Sequence, residues 1–153
     1  MEPNNAGEIK AKINTSLAVA INPEVEDSEK INADSDLLGA VVDAIDLTTN
    51  DPWNNIISIK IPQDNQLFTY GMAVNFVPFT ETADGKRNAV FVFSAGEKDP
   101  RTAGAVHFNS QTSEGGNKVM SIQTIGSELS DTQMQVGLSI FGQSMLARIE
   151  ESN

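Results

Sequence analysis

The chain has 153 residues, of which 39% are hydrophobic and 20% charged, and this length suits one domain with one core. Its formal net charge of -11 repels phosphate backbones, so we expect no direct binding to nucleic acid. The absence of cysteine excludes disulfides and thiolate chemistry, and it removes the usual ligands of a structural zinc site.

The sequence indicates neither secretion nor membrane insertion. The N-terminal stretch MEPNNAGEIKAK is polar, without a basic n-region or an apolar h-region, so we expect no cleaved signal peptide. No apolar run reaches the length of a membrane span, and we expect no membrane partner. The localisation stays open between a virion and the cytoplasm.

The first predicted element is an N-terminal strand between residues 8 and 22. The apolar residues of this stretch share one parity: Ile9, Ala11, Ile13, Leu17, Val19 and Ile21. Such alternation is typical of a half-buried strand, or of two short strands broken near residues 14–16. The polar stretch that follows, NPEVEDSEKINADSD, is predicted to be a loop.

A change of period then predicts one short helix at about residues 36–47. Its apolar residues recur at helical spacing: Leu37, Leu38, Val41, Val42 and Ile45. Asp34 or Ser35 can cap this helix. Loop and helix together form an acidic segment at about residues 23–51. Between residues 24 and 51 it holds nine acids against Lys30 alone.

From residue 57 onward the apolar residues alternate with a period of two. Successive short runs, separated by turn signals such as Asp84-Gly85, predict hairpins and an antiparallel meander. The stretch NAVFVFSA, residues 88–95, is apolar on both faces, which predicts a strand that is covered on both faces. We therefore predict a single, mainly β domain of about seven strands over residues 1–153, forming a β-sandwich or a small barrel.

Residues 131–151 fit both a strand and a helix. Alternation to about Phe141 favours a strand, whereas one helical face and the capping box SDTQ favour a C-terminal helix. Gly137 and Gly142 favour the strand, because a glycine inside a helix costs about 1 kcal/mol. A C-terminal helix is the alternative.

No combination of residues identifies an active site. His107 is the only histidine, and the pattern places it on a strand surface without an evident partner. Serines are abundant, but no G-x-S-x-G elbow singles one out. We therefore predict that the protein is not an enzyme and has neither catalytic residues nor a cofactor.

The acidic segment offers weak candidates for a calcium site: Asp27, Glu29, Asp34 and Asp36. A carboxylate-rich loop can supply the oxygen ligands that calcium prefers. The stretch lacks the central glycine and the final glutamate of an EF-hand, and blocks of like charge are usually solvated. We therefore predict no metal site.

The candidate interaction residues are basic. Lys86, Arg87 and Lys118 are predicted to lie on turns at one end of the meander. They are too few for a nucleic-acid surface. They are complementary in charge to the acidic segment, which a neighbouring copy would supply.

These observations favour a non-enzymatic structural or protein-interaction protein. The leading hypothesis is a self-assembling shell or virion component, such as a capsid, decoration or tail protein, whose partners are its own copies or other structural proteins. One alternative is a small β-barrel that binds an apolar ligand within a cavity lined by Phe68, Tyr70, Phe91 and Phe93. The other is an acidic regulator or inhibitor of one basic partner.

Overall fold

In the described part of the chain, two helices, five strands and a final helix follow one another. The computed structural model describes residues 4–48, 56–61, 72–79, 86–96, 101–113, 116–126 and 128–152. The helices are α1 (Asn4–Ala20), α2 (Asp27–Thr48) and α3 (Asp131–Ser152). The strands are β1 (Ile57–Ile61), β2 (Met72–Pro78), β3 (Arg87–Ala95), β4 (Arg101–Ser113) and β5 (Gly116–Gly126).

The predicted antiparallel meander is confirmed. Each strand pairs with the next in the chain, in the order β1-β2-β3-β4-β5. The described strands form a single sheet that does not close into a barrel, with β1 and β5 at its edges, and the described helices, not a second sheet, pack on it. Phe68, Tyr70 and the predicted turn at residues 84–85 lie outside the described residues.

The core lies between one face of the sheet and the helices. Phe91 is at its centre, with ring centroids 5.4 Å from Phe76, 5.6 Å from Phe108 and 5.2 Å from Phe141 of α3. All four rings are fully buried, and burying one such side chain contributes roughly 1.5–3 kcal/mol. α2 packs beside α3 and over β5, and α1 packs against both of the other helices.

The predicted N-terminal strand is wrong, because residues 4–20 form α1. Ile9, Ile13 and Leu17 are spaced by four residues, a spacing that satisfies both strand alternation and one face of a helix. The two periods differ at Ala11, which shares their parity but lies exposed on another side of α1, whereas Ile13 is fully buried.

The predicted helix at residues 36–47 lies within α2, but α2 begins nine residues earlier, at Asp27. The loop prediction was therefore wrong from residue 27 onward. The polar residues that suggested a loop form the exposed side of the first turns. Asp27 and Glu29 in the first turn interact favourably with the positive end of the helix dipole.

Residues 131–152 form a helix, so the alternative prediction is right and the strand to Phe141 is wrong. The capping box is present: Ser130 N donates to Gln133 Oε1 at 2.9 Å, and Gln133 N donates to Ser130 Oγ at 3.2 Å. The two glycines are sites of close packing. A Cβ at Gly137 would lie 2.6 Å from Phe93 Cε1, and one at Gly142 would lie 2.8 Å from Ile13 Cδ1.

The three helices pack on the protein's own core. None of the described helices combines the length and the apolar character that crossing a bilayer requires.

Gly137→Ala should lower the free energy of unfolding by about 1 kcal/mol. Alanine favours a helix by about 1 kcal/mol over glycine, but its methyl group would press on the buried Phe93 ring, and overpacking costs roughly 1–3 kcal/mol. Urea unfolding followed by circular dichroism measures the change. Gly7→Ala in α1 is the matched control, because a Cβ there meets nothing within 4 Å and should stabilise. Equal stabilisation by both variants would contradict the close contact.

Candidate interaction surface

The face of the sheet opposite the helices is covered by no described part of the chain. We call it the open face. It consists of the strand side chains that point away from the helices, and these are half-buried or exposed where their neighbours on the helix side are buried.

Strand pairing orders the open face into rows. One row crosses all five strands through Ser58, Asn75, Val92, Ala105 and Ile125. The next crosses four strands through Val77, Val90, His107 and Gln123. The middle of the face is therefore aliphatic, with neutral polar groups around it.

The central strand β3 is apolar on both faces. Phe91 and Phe93 are fully buried against the helices, while Val90 and Val92 point to the open face and are half-buried. The sequence predicts that such a strand is covered on both faces. Among the described residues, only its helix side is covered.

Charge is unequally distributed between the two sides of the molecule. The five described strands contain no Asp or Glu, and the open face carries Lys60 on β1 and Lys118 on β5. By contrast, α2 alone carries six acids against one lysine. In a chain of net charge -11, the open face is where two copies can approach without opposing carboxylates.

The polar group nearest the middle of the open face already has hydrogen-bond partners. Ser58 Oγ donates to Asn75 Oδ1 at 2.6 Å, and Asn75 Nδ2 donates to the Val92 carbonyl and to Ser94 Oγ, each at 3.1 Å. Both the oxygen and the nitrogen of the Asn75 amide have hydrogen-bond partners within the sheet. Covering Asn75 would therefore leave neither its donor nor its acceptor unpaired.

His107 lies on the open face of β4, between Val90 and Gln123 of the neighbouring strands. Its ring centroid is 5.8 Å from that of Phe79, which is 47% exposed. The described strands supply no carboxylate to orient the imidazole. His107 and Phe79 therefore form an aromatic pair at the open face.

The three basic candidates have different environments. Arg87 and Lys118 lie at the same end of the sheet but within β3 and β5, not on turns. The Arg87 guanidinium faces the helices, where Nη2 lies 3.4 Å from Asp46 Oδ2 and also donates to Asn117 Oδ1. Lys118 is exposed, and Lys86 is half-buried immediately before β3. Contact with a neighbouring copy stays a prediction for these residues, but Arg87 is already engaged within its own chain.

Arg87 belongs to a junction between α2 and β5. Asp43 Oδ1 accepts from Asn117 N at 2.9 Å and from Asn117 Nδ2 at 2.7 Å, and the same amide donates to Asp46 Oδ2 at 2.8 Å. Gly39 permits this approach, since a Cβ there would lie 2.7 Å from the Asn117 carbonyl oxygen. This junction could not be predicted from the sequence, because one asparagine after a glycine pair looks like part of a turn.

The calcium candidates do not converge. Asp27 and Asp34 are two helical turns apart on one side of α2, while Glu29 and Asp36 are two turns apart on a side about 200° away. Asp34 faces α3, where Gln135 Nε2 donates to its Oδ1 at 2.6 Å. Among the described residues, no three His, Cys, Asp or Glu side chains are grouped to hold an ion.

Asp34 also borders a small cavity of about 60 Å³ between α2, α3 and the sheet. The cavity is lined mainly by aliphatic side chains, including Leu37, Leu38 and Leu138. Burial raises the pKa of Asp34, the hydrogen bond from Gln135 lowers it in part, and the Asp131 carboxylate adds to the rise. The cavity lies outside the open face and is far smaller than a barrel interior that holds a ligand.

Comparison with known proteins supplies no relative from which a role could be transferred. No family model matches the chain, and searches of curated proteins and of solved structures return no significant match. The geometry and charge of the described residues are therefore the only guides to a role.

Arg87→Glu should destabilise the fold by about 2 kcal/mol or more. It would place a carboxylate beside Asp46 and leave the Asn117 oxygen without its donor, in a site where the Arg87 side chain is only 16% exposed. Lys118→Glu makes the same charge change at an exposed position and should alter stability little. Chemical denaturation of both variants checks this. Equal midpoints would show that the α2–β5 junction is dispensable.

Asp43→Asn should reduce the pH dependence of stability. Burial raises the pKa of Asp43 above its ordinary 3.8, and the hydrogen bonds from Asn117 offset this only in part. An acid with a raised pKa in the folded state binds its proton more tightly there. Its contribution to stability is therefore greatest at low pH and is lost as pH rises from about 4 through the raised pKa.

The amide side chain introduced by Asp43→Asn would keep an acceptor oxygen for Asn117 but could not titrate. The free energy of unfolding, measured by denaturation from pH 3 upward in roughly half-unit steps, should therefore fall less steeply than in the wild type. Asp36→Asn removes an exposed carboxylate from the same helix and is the matched control. An unchanged slope in Asp43→Asn would contradict the effect of burial.

Proposed function

We propose that this protein is a non-enzymatic structural protein that works by self-association, and that the open face is where its copies meet. The observation that carries this proposal is the central strand. β3 presents Val90 and Val92 on the side that the described helices leave uncovered, although a strand apolar on both faces is normally covered on both. A second copy supplies the missing cover.

The size of the open face supports this role. Five strands at a spacing of about 4.8 Å, each with roughly seven residues in the shared sheet, span a projected area of about 600 Å². A stable interface buries roughly 800 Å² of accessible surface per partner. Because side chains make accessible area larger than projected area, the open face is of adequate size.

The composition of the open face also supports it. Interfaces combine an apolar, charge-poor centre with a polar periphery. Here Val77, Val90, Val92 and Ala105 form the centre, and the two lysines lie on the edge strands. The solvated face of an ordinary antiparallel sheet would instead carry charged and polar residues in its centre as well.

The other hypotheses fit this architecture less well. A ligand barrel needs a closed sheet, and this sheet is open. An acidic regulator would use α2 and leave the apolar centre of the open face unexplained. A shell, capsid, decoration or tail role needs a second contact surface besides the open face, because a symmetric face-to-face contact closes into a dimer.

Val92→Glu should dissociate the assembly. The substitution places a carboxylate at the middle of the open face, where covering it by a second copy requires its desolvation. Sedimentation velocity across a concentration series should show a larger species for the wild type and a monomer for the variant. Circular dichroism establishes that the variant remains folded.

Ile31→Glu is the matched control. Ile31 is 64% exposed on α2, away from the open face, so this variant loses an exposed aliphatic residue and gains the same charge. It should assemble like the wild type. A wild type that stays monomeric at every concentration and salt would overturn the proposed function, as would equal dissociation of both variants.

A further inference from the structure

The geometry of the dimer rests on the proposed self-association. We infer that two copies pack sheet against sheet about a two-fold axis that passes close to Val92. The dimer is then a β-sandwich with one sheet from each copy, enclosed by a helical layer on either side. The partner at the open face is the open face of a second copy, and not the acidic helical side of one.

Desolvation favours the symmetric contact. When the open face packs against the open face of a second copy, aliphatic side chains of both copies are removed from water and no carboxylate of the strands is buried. In a head-to-tail contact the same face would cover part of α2, on which Asp27, Glu29 and Asp36 are all exposed acids. Two lysines per face do not balance these charges, and a buried unpaired charge is costly.

The positions of the two lysines are compatible with the two-fold axis. Lys60 lies on edge strand β1 opposite Ala73, near the end of the sheet where β2 begins. Lys118 lies on the other edge strand, β5, opposite Gln111 and near the other end. The two lysines therefore occupy diagonal corners. An axis parallel or perpendicular to the strands places each lysine over a corner of the partner's face that has none.

The middle of the open face suits close packing between sheets. Packed sheets lie about 10 Å apart and their side chains interdigitate. The row through Val92 contains small or aliphatic neighbours on both adjacent strands, Asn75 and Ala105, and the Asn75 amide is satisfied within its own sheet. A residue close to a two-fold axis lies near its own counterpart, so Val92 of one copy approaches Val92 of the other.

Ionic strength separates the two contact geometries. In the symmetric dimer the acidic helix α2 of each copy faces outward. Two molecules of charge -11 repel each other over a distance that depends on salt and falls from about 30 Å at 0.01 M to about 8 Å at 0.15 M. Salt therefore strengthens this dimer. A contact between an acidic segment and basic residues would weaken with salt instead.

The test uses the absence of cysteine in the native chain, so that each introduced thiol is unique. Val92→Cys and Ile31→Cys are treated with a short bismaleimide, separately and mixed, and resolved by denaturing electrophoresis. We expect Val92→Cys alone to shift from the monomer to the dimer band. Ile31→Cys alone should remain monomeric, and the mixture should give no product that joins the two variants. Sedimentation of the wild type should show a dissociation constant that falls several-fold as salt rises.

The failure of this geometry is distinguishable from the failure of self-association. If sedimentation shows a dimer but cross-linking joins Val92→Cys to Ile31→Cys, the contact is head to tail and the two-fold geometry is wrong. A dimer that weakens with salt, or that leaves both Val92→Cys and Val90→Cys uncross-linked, also overturns the geometry. A monomeric wild type overturns both proposals.

Discussion

The packing of α3 on the aromatic face of the sheet is the constraint on which the rest of the structure depends. Phe141 contacts Phe91, and Gly137 lets the helix approach until its backbone lies against the Phe93 ring. Because of this contact, the aromatic side of β3 faces the helices. α2 and α1 then pack around α3, so the described helices all lie on one side of the sheet, and no described residue packs over the aliphatic side of β3.

The strand half of the fold was predictable because turns and alternation are local signals. Turn signals between short apolar runs from residue 57 onward predicted an antiparallel meander, and the structure has one. The helices were harder to predict because their signals depend on tertiary contacts. From the sequence alone, Gly137 looks like a helix breaker. In the structure it is the residue without a Cβ that lets α3 approach the Phe93 ring. Ile9, Ile13 and Leu17 fit either period, and only their contacts with α2 and α3 decide between them.

The candidate surface was predictable in part. The two-sided apolar pattern of residues 88–95 indicated that something must cover each side of β3, but it could not show that the helices cover only one. The role of Arg87 could not be predicted, because its partners Asp46 and Asn117 lie 41 and 30 residues away in the chain. The charge asymmetry becomes visible only when the acidic segment is seen as a helix opposite the sheet.

The meander also bears on how the chain reaches this structure. Strand neighbours are chain neighbours, so the sheet can grow by successive hairpins, each closing a short loop. The contact between α1 and α3 instead joins segments from opposite ends of the sequence and closes a loop of nearly the whole chain. If the helices dock after the hairpins have formed, the early intermediate exposes apolar side chains on both faces of its sheet. Such an intermediate is vulnerable to aggregation, and the acidic helix α2, which later covers part of one face, also supplies repulsion between unfinished chains.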